Sequence, residues 1–245
     1  MELRTFAFDD RPDLHGQADE VFSAGWPEFI FHDSLADRQM DRVRRWFGDL
    51  NLLLVDDEDR IAAGGWGVPL RWDGSVGDLP GGYDDALARA VALREAGGRA
   101  DTLVIAAAQV RGDLQGRGLA ADVLGRLASA GERAGLARAI APVRPTSKAR
   151  YPLTAMAEFM RWTRPDGAPS DPWLRTHLRM GARMLGVAER SMTMAGSVAE
   201  WEKWAGFPLP ASGPYVIPGA LAPLVIDHPA DRGELVEPNV WVRHR

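Results

Sequence analysis

The sequence predicts an α+β arrangement within the wider α/β class, and three observations carry it. A strand, a glycine-rich loop and a helix follow one another over 102–134 and lead into a second strand. An acidic turn joins two apolar runs between Leu50 and Leu70, and helices with apolar stripes flank both features. The 245 residues are 46% hydrophobic, enough to fill a core. No repeat, linker or shift in composition marks a boundary, so one domain over 1–245 is expected.

Each element has its own signal. Leu14–Ala24 and Ser34–Phe47 carry apolar residues at helical intervals, with Leu35, Met40, Val43, Trp46 and Phe47 along one stripe of the second. "LNLLLVDDEDRIAAGGWGVPL" reads as a hairpin around its acidic turn. Turn residues then give way to a helix that Gly97 and Gly98 close. "TLVIAAAQV" is a nearly unbroken apolar run of strand length, which suits a buried central strand. After the loop, Ala120, Val123, Leu124, Leu127, Ala128 and Ala134 line a helix that stops at Gly135, and "LARAIAPV" is the next strand. "DPWLRTHLRMGARMLG" opens as an Asp-Pro helix start, "SVAEWEKWAG" is a capped helix, and Leu221–Val242 alternates as a strand pair around "DHPADRG". The closing "GELVEPNVWVRH" is expected to be an edge strand or a homodimer contact.

Charge and composition exclude several function classes. A net charge of -5 argues against a nucleic-acid-coating or membrane-surface protein, which would present a basic face. The absence of cysteine removes disulfides, thiolate metal sites and a cysteine nucleophile. The five histidines, at 15, 32, 177, 228 and 244, lack metal-ligand spacing, so no metal is expected, and no Gly-x-Ser-x-Gly elbow is present for a serine hydrolase. "MELRTFAFDD" turns acidic where a signal peptide would turn apolar, and no apolar run reaches about 20 residues, so a cytoplasmic location is expected.

The loop "VRGDLQGRGLA" is an anion cradle by its chemistry. A helix N-terminus exposes unpaired N–H groups and the positive end of the helix dipole, and small residues let phosphate oxygens approach both. A Walker loop is excluded, because Gly118-Leu119-Ala120 stands where Gly-Lys-Ser/Thr is required. Gly116, Gly118 and Ala121 satisfy the dinucleotide pattern G-x-G-x-x-A. Against that pattern, five residues separate Val110 from Gly116, and "LARAIAPVRP" ends without the acidic residue that would hold a ribose. An oxidoreductase using Arg144 for the extra phosphate of NADP is the residual form of that reading.

The third pattern is Gln/Arg-x-x-Gly-x-Gly/Ala, met by Gln115, Gly118 and Ala120, with Arg117 as the loop's basic residue. On these residues and on the order of elements over about 10–145, the chain resembles the GCN5-related N-acetyltransferase (GNAT) superfamily. The resemblance implies a central, mixed, mostly antiparallel sheet flanked by helices, with insertions near 70–100 and 145–172. It implies an acyl-CoA donor, acetyl-CoA or a related short acyl-CoA, with its pyrophosphate on the N–H groups of Gln115, Gly116, Arg117, Gly118, Leu119 and Ala120. The pantetheine arm would pair with backbone near Gln109 and Val110 and carry the thioester into a splay between the 102–110 and 136–143 strands. The acceptor would be a small-molecule amine, acylated by direct attack. A non-catalytic CoA or acyl-CoA sensor of the same fold is the rival reading.

The catalytic residues are less legible. His177 in "HLRMGA" falls where the family commonly has a general-acid tyrosine, with Ala182 in place of the following phenylalanine. Tyr151 in "KARYPL" is the other candidate acid. The asparagine that often follows the family's fifth strand is replaced by "RPTSK". The segment between Pro145 and Pro172 is expected to shape the acceptor pocket. With the 69–83 stretch it would bring Trp72, Asp73, Tyr151, Trp162 and Asp166 to one mouth, the acidic residues favouring a cationic amine.

Overall fold

A computed structural model describes residues 2–245. The strands are β1 Arg4–Ala7, β2 Asn51–Val55, β3 Ile61–Leu70, β4 Thr102–Val110, β5 Arg138–Val143, β6 Arg183–Gly196, β7 Gly213–Tyr215, β8 Leu224–Asp227 and β9 Arg232–Arg243. The helices are α1 His15–Ser23, α2 Ser34–Trp46, α3 Tyr83–Glu95, α4 Leu119–Arg133, α5 Met156–Phe159, α6 Pro172–Arg179 and α7 Val198–Ala205. All nine strands join one sheet in the order β1-β2-β3-β4-β5-β9-β8-β7, with β6 also paired to β9. Every pairing is antiparallel except β4 with β5, the two strands of the expected β-loop-α-β unit. A nearly all-antiparallel sheet is not the parallel scaffold of a dinucleotide fold, which removes the structural basis of the oxidoreductase reading.

The two faces of this sheet bury different helices. Leu103, Ile105, Ala139, Ala141 and Val143 pack under α4 and α6 with Val123, Leu124, Leu127 and Leu174. Val104, Ile140, Val68, Leu70 and Trp241 pack under α2 and α3 with Val43, Leu87, Ala90 and Val91. Alternation along β4 and β5 therefore sends successive side chains into separate cores, so both strands are apolar except at Thr102 and Gln109 of β4 and Arg138 of β5. Phe29, Trp201, Met194 and Leu235 form a third core under α7.

Most helix limits follow the local chemistry that announced them. Asp33 caps α2 by accepting from the N–H groups of Leu35 and Ala36, Asp171 caps α6 through Trp173 and Leu174, and Ser197 with Glu200 forms a capping box on α7. Three strands carry no such announcement. β1 and β7 are four and three residues long, and β6 hides in "RMLGVAERSMTMAG", where two register shifts against β9 break its alternation. β9 pairs with β5, β6 and β8, so the C-terminal segment is an interior strand and not an edge. Among the described residues no helix is long and apolar enough to cross a membrane.

Candidate active site

The parallel ladder between β4 and β5 is short. Thr102, Leu103 and Val104 pair with Arg138, Ala139 and Ile140, and beyond them the strands have no pairing with each other among the described residues. The separation coincides with a bulge: Trp66 and Gly67 of β3 face Ala107 and Ile105, leaving Ala106 as an extra residue in β4. A bulge bends its strand and strengthens the local twist, here away from β5. The strands thus enclose a wedge whose closed end lies at Ala139 and whose open end lies toward Val110 and Val143.

The glycine loop stands at the open end. Gly116 and Gly118 hold φ values of +78 and +84, which side-chain-bearing residues rarely adopt, and a Cβ at either would meet nothing within 4 Å. Gly118 is the N-cap of α4 and offers no side chain to its first turn. Among the described residues the N–H groups of Gly116, Arg117, Gly118, Leu119 and Ala120 meet no protein acceptor, while those of Ala121 and Asp122 return to the Gly118 carbonyl. Five free donors at the positive end of a fifteen-residue helix, lying over open space, suit a pyrophosphate. Gln115 and Arg117 are exposed beside them, and Arg111 is held off by Asp113 at 2.7 Å.

Gln109 is committed through its side chain. Its amide nitrogen, Nε2, donates to the carbonyls of Val21 and Ala24 at 3.3 and 3.1 Å, and Oε1 accepts from Trp26 Nε1 at 2.9 Å. This ties the end of α1 to β4 and leaves only backbone for a pantetheine arm. Val110 pairs with Ala63 and packs toward the α4 core.

The predicted acid and acceptor residues divide between the two ends. Tyr151, Phe159 and Trp162 cluster, with the Tyr151 and Trp162 rings edge to face at 4.8 Å. Tyr151 is 45% exposed. It adjoins the rim of β5, because its carbonyl accepts from Lys148 Nζ at 2.8 Å. Trp72 and Asp73 do not join them. They follow Leu70, which pairs with Thr102 at the closed end of the sheet. Trp72 is fully buried, donates to the Ser75 carbonyl at 2.7 Å and lies under the Arg243 guanidinium. Asp73 organises a turn by accepting from Ser75 N–H at 2.7 Å, which holds its carboxyl below the usual range. Asp166 likewise caps a turn through Ala168 N–H. Both carboxylates thus do the ordinary work of Asp-Gly turn dipeptides, the alternative to a ligand role that their sequence context favoured.

His177 also lies at the closed end. Its Nδ1 meets His244 Nε2 at 2.9 Å, and His244 N–H donates to the Ala139 carbonyl. Leu103, opposite Ala139, is six residues from Gln109, or about 20 Å along an extended strand. His177 is 1% exposed. Burial, with the neighbouring His244, pushes its pKa down to about 3. It is a neutral core group packed edge-on to Trp173.

Sequence reasoning named Arg144 only for the extra phosphate of NADP and missed the other polar groups at the open rim. Arg144, the residue after β5, bonds Glu237 through Nε at 2.6 Å and Nη2 at 2.9 Å, and donates to the Gly219 carbonyl at 2.7 Å. Its guanidinium lies over the Trp26 ring at 5.5 Å. Buried Lys148 donates to the carbonyls of Tyr151 and Leu221, and desolvation lowers its pKa. A signal existed in the cation-rich "VRPTSKAR" directly after an apolar strand, but its partner Glu237 is 93 residues away. No group of three metal-ligating side chains occurs among the described residues.

No family model matches the chain. It is 29% identical, over 96% of its length and 91% of the relative's, to the arginine N-acetyltransferase avaD of Aspergillus versicolor. Among solved structures it superposes on the loading GNATL domain of CurA from Lyngbya majuscula with a TM-score of 0.57 at 16% identity, covering 99% of this chain and 96% of that one. It also superposes on the GphF GNAT-like decarboxylase, solved with isobutyryl-CoA, with a TM-score of 0.54 at 17% identity, covering 78% of this chain and 90% of that one.

Proposed function

We propose that this chain, which has the fold of GNAT proteins and a relative named an N-acetyltransferase along nearly its whole length, belongs to the GNAT superfamily and transfers an acetyl or other short acyl group from coenzyme A to the amine of a small molecule. The observation that carries the reading is the row of five unpartnered N–H groups from Gly116 to Ala120 at the open end of the β4/β5 wedge. An anion held there sets the distance to the wedge, and the backbone of β4 beyond Val104 lacks a strand partner on its β5 side. An extended pantetheine arm has the geometry to supply that partner.

The residues then divide the work. The Gln115–Ala120 loop binds pyrophosphate, and the backbone of Gln109 and Val110 guides the arm. The amine nitrogen attacks the thioester carbonyl, a C–N bond forms, the C–S bond breaks, and the nitrogen loses a proton while the thiolate gains one. Free backbone N–H groups in the wedge polarise the carbonyl. Tyr151, half exposed next to the rim of β5, is the acid in this reading; His177 at the closed end is not. Trp162 supports Tyr151 and forms one wall of the acceptor entrance.

Isothermal titration with acetyl-CoA and CoA tests the reading, repeated on Gly118→Asp, which puts an anion on the phosphate site at a positive-φ position. Micromolar binding of the native chain that Gly118→Asp lowers by about 100-fold or more agrees with a cradle worth several charge-assisted hydrogen bonds. Equal binding by both proteins would show that the loop does not hold the pyrophosphate. Tyr151→Phe is expected to leave acetyl-CoA affinity unchanged and lower kcat about 10- to 100-fold, the usual contribution of a general acid.

A further inference from the structure

The face of the sheet opposite α4 carries an assembly of side chains across the open wedge. Trp26 spans it, with Nε1 on Gln109 of β4 at 2.9 Å and its ring under Arg144 of the β5 rim at 5.5 Å. Arg144 spends one edge of its guanidinium, Nε and Nη2, on Glu237, while Nη1 has no protein partner among the described residues. Asn239 stands beside it: the β5/β9 ladder pairs Val143 with Val240, so one further step sets Asn239 opposite Arg144.

Asn239 is 1% exposed, and neither Nδ2 nor Oδ1 has a partner. A buried amide left unpaired forfeits the hydrogen bonds it would make in water, and interiors rarely keep one without a use. Its same-face neighbours on β9 are satisfied: Glu237 by Arg144 and by Leu221 N–H, and Trp241 by the Pro80 carbonyl. The charges nearby are unbalanced as well. Arg144 and Lys148 are two cations against the single carboxylate of Glu237, and Lys148, 1% exposed, meets only carbonyl oxygens. The assembly thus lacks one negative charge and offers an unused donor edge next to an unused amide.

We propose that this is the acceptor subsite and that it takes an α-amino acid, with Arg144 Nη1 and Asn239 Nδ2 donating to the carboxylate and Asn239 Oδ1 accepting from the α-amine. Carboxylate and amine on one carbon match the adjacent donor and acceptor of one amide, and the bound amine faces the wedge from the side opposite the cradle. The proposal rests on the acyltransferase reading and replaces the cationic-amine expectation drawn from Asp73 and Asp166, which lie in turns away from this face. An amino acid acceptor also agrees with the name of the full-length relative.

Two measurements test it on the whole 245-residue chain. Initial rates with acetyl-CoA are compared for the standard α-amino acids and their α-amides, and for L-arginine, L-argininamide and agmatine as the leading set. The free acid is expected to exceed its amide and its decarboxylated amine in kcat/KM by about 10- to 100-fold, the loss expected from a missing charged hydrogen-bond partner. Asn239→Leu, which removes an unsatisfied amide, is expected to keep or raise Tm, to leave acetyl-CoA affinity unchanged, and to raise KM for the amino acid at least about tenfold. Amides turned over as well as acids, or native kinetics in Asn239→Leu, would overturn the proposal. So would tight acetyl-CoA binding with no amino acid consumed. If acetyl-CoA itself fails to bind, the acyltransferase reading falls separately. Titration of L-arginine and argininamide without coenzyme then decides the carboxylate subsite, equal or absent binding ruling it out.

Discussion

Asp84 and His177 are buried ionisable residues whose pKa values move in opposite directions, and each turns burial into a pH dependence of stability. Asp84 is 7% exposed, accepts from Thr193 N–H at 3.1 Å through Oδ2, and has buried Asp33 as its neighbour, with Asp84 Oδ1 and Asp33 Oδ2 both unpartnered. Burial first, and the Asp33 charge second, raise its pKa far above the carboxylate range. The fold keeps a proton that the unfolded chain gives up above about pH 4, so stability is fullest below that pH and is lost as pH rises until Asp84 ionises. Asp84→Asn retains a donor and an acceptor without the proton; its urea midpoint is expected to exceed that of the native chain at pH 8 and to vary less between pH 5 and 8. Identical pH profiles for the two proteins would refute the retained proton on Asp84. For His177 the sign reverses. The folded pKa of about 3 lies below that of a free imidazole, so the unfolded chain takes up the proton, and stability present above about pH 6.5 is lost at up to about 1.4 kcal/mol per pH unit as pH falls. His177→Gln is expected to flatten this acid limb between pH 6.5 and 4.5, measured by the same unfolding curves. In the sequence, His177 was visible as a helix residue four positions before Gly181; its burial against His244, 67 residues on, was not.

The elements were more legible than their junctions. Helix caps and glycine stops are local chemistry, so α1, α2, α3, α4, α6 and α7 fall close to the expected limits. The β2/β3 hairpin and the strands β4, β5, β8 and β9 were read from hydrophobic runs in the same way. What escaped was irregularity: the long β6 carries two register shifts that erase the period-two signal. The bulge at Ala106 is the corresponding feature of the candidate site, and its tight packing partner is Gly65. A Cβ on Gly65 would meet the Ala107 carbonyl at 2.6 Å and Val123 and Leu127 at 2.9 and 3.0 Å. Gly65→Val is therefore expected to cost more than about 2 kcal/mol in urea unfolding, because backbone and α4 must both retreat. A change within about 0.5 kcal/mol would mean that the β3/β4 junction is looser than this packing requires.

At the scale of the whole molecule, the parts of the candidate site come from distant stretches of chain. The cradle lies on 115–120, Trp26 on the linker before α2, Arg144 after β5, and Glu237 and Asn239 on β9. On the proposed reading the native wedge holds ligand and the unfolded chain does not, so saturating acetyl-CoA at about 100 times Kd is expected to stabilise the fold by about 2.7 kcal/mol, read as a rise in Tm that Gly118→Asp abolishes. The sequence by itself determined the helix limits, the hairpin, the strand-loop-helix order and the loop's fitness for an anion. Each depends on contacts within about ten residues, where turn chemistry, capping and hydrophobic period act directly. Only the tertiary structure decided which polar residues meet at the wedge. It carried Trp72, Asp73 and His177 to the closed end and brought Trp26, Arg144 and Asn239 to the open one. The physical reason is that burial and partner choice across the sheet follow from strand order and register, and β9, which supplies the decisive residues, reaches β5 only after the chain has built the rest of the sheet.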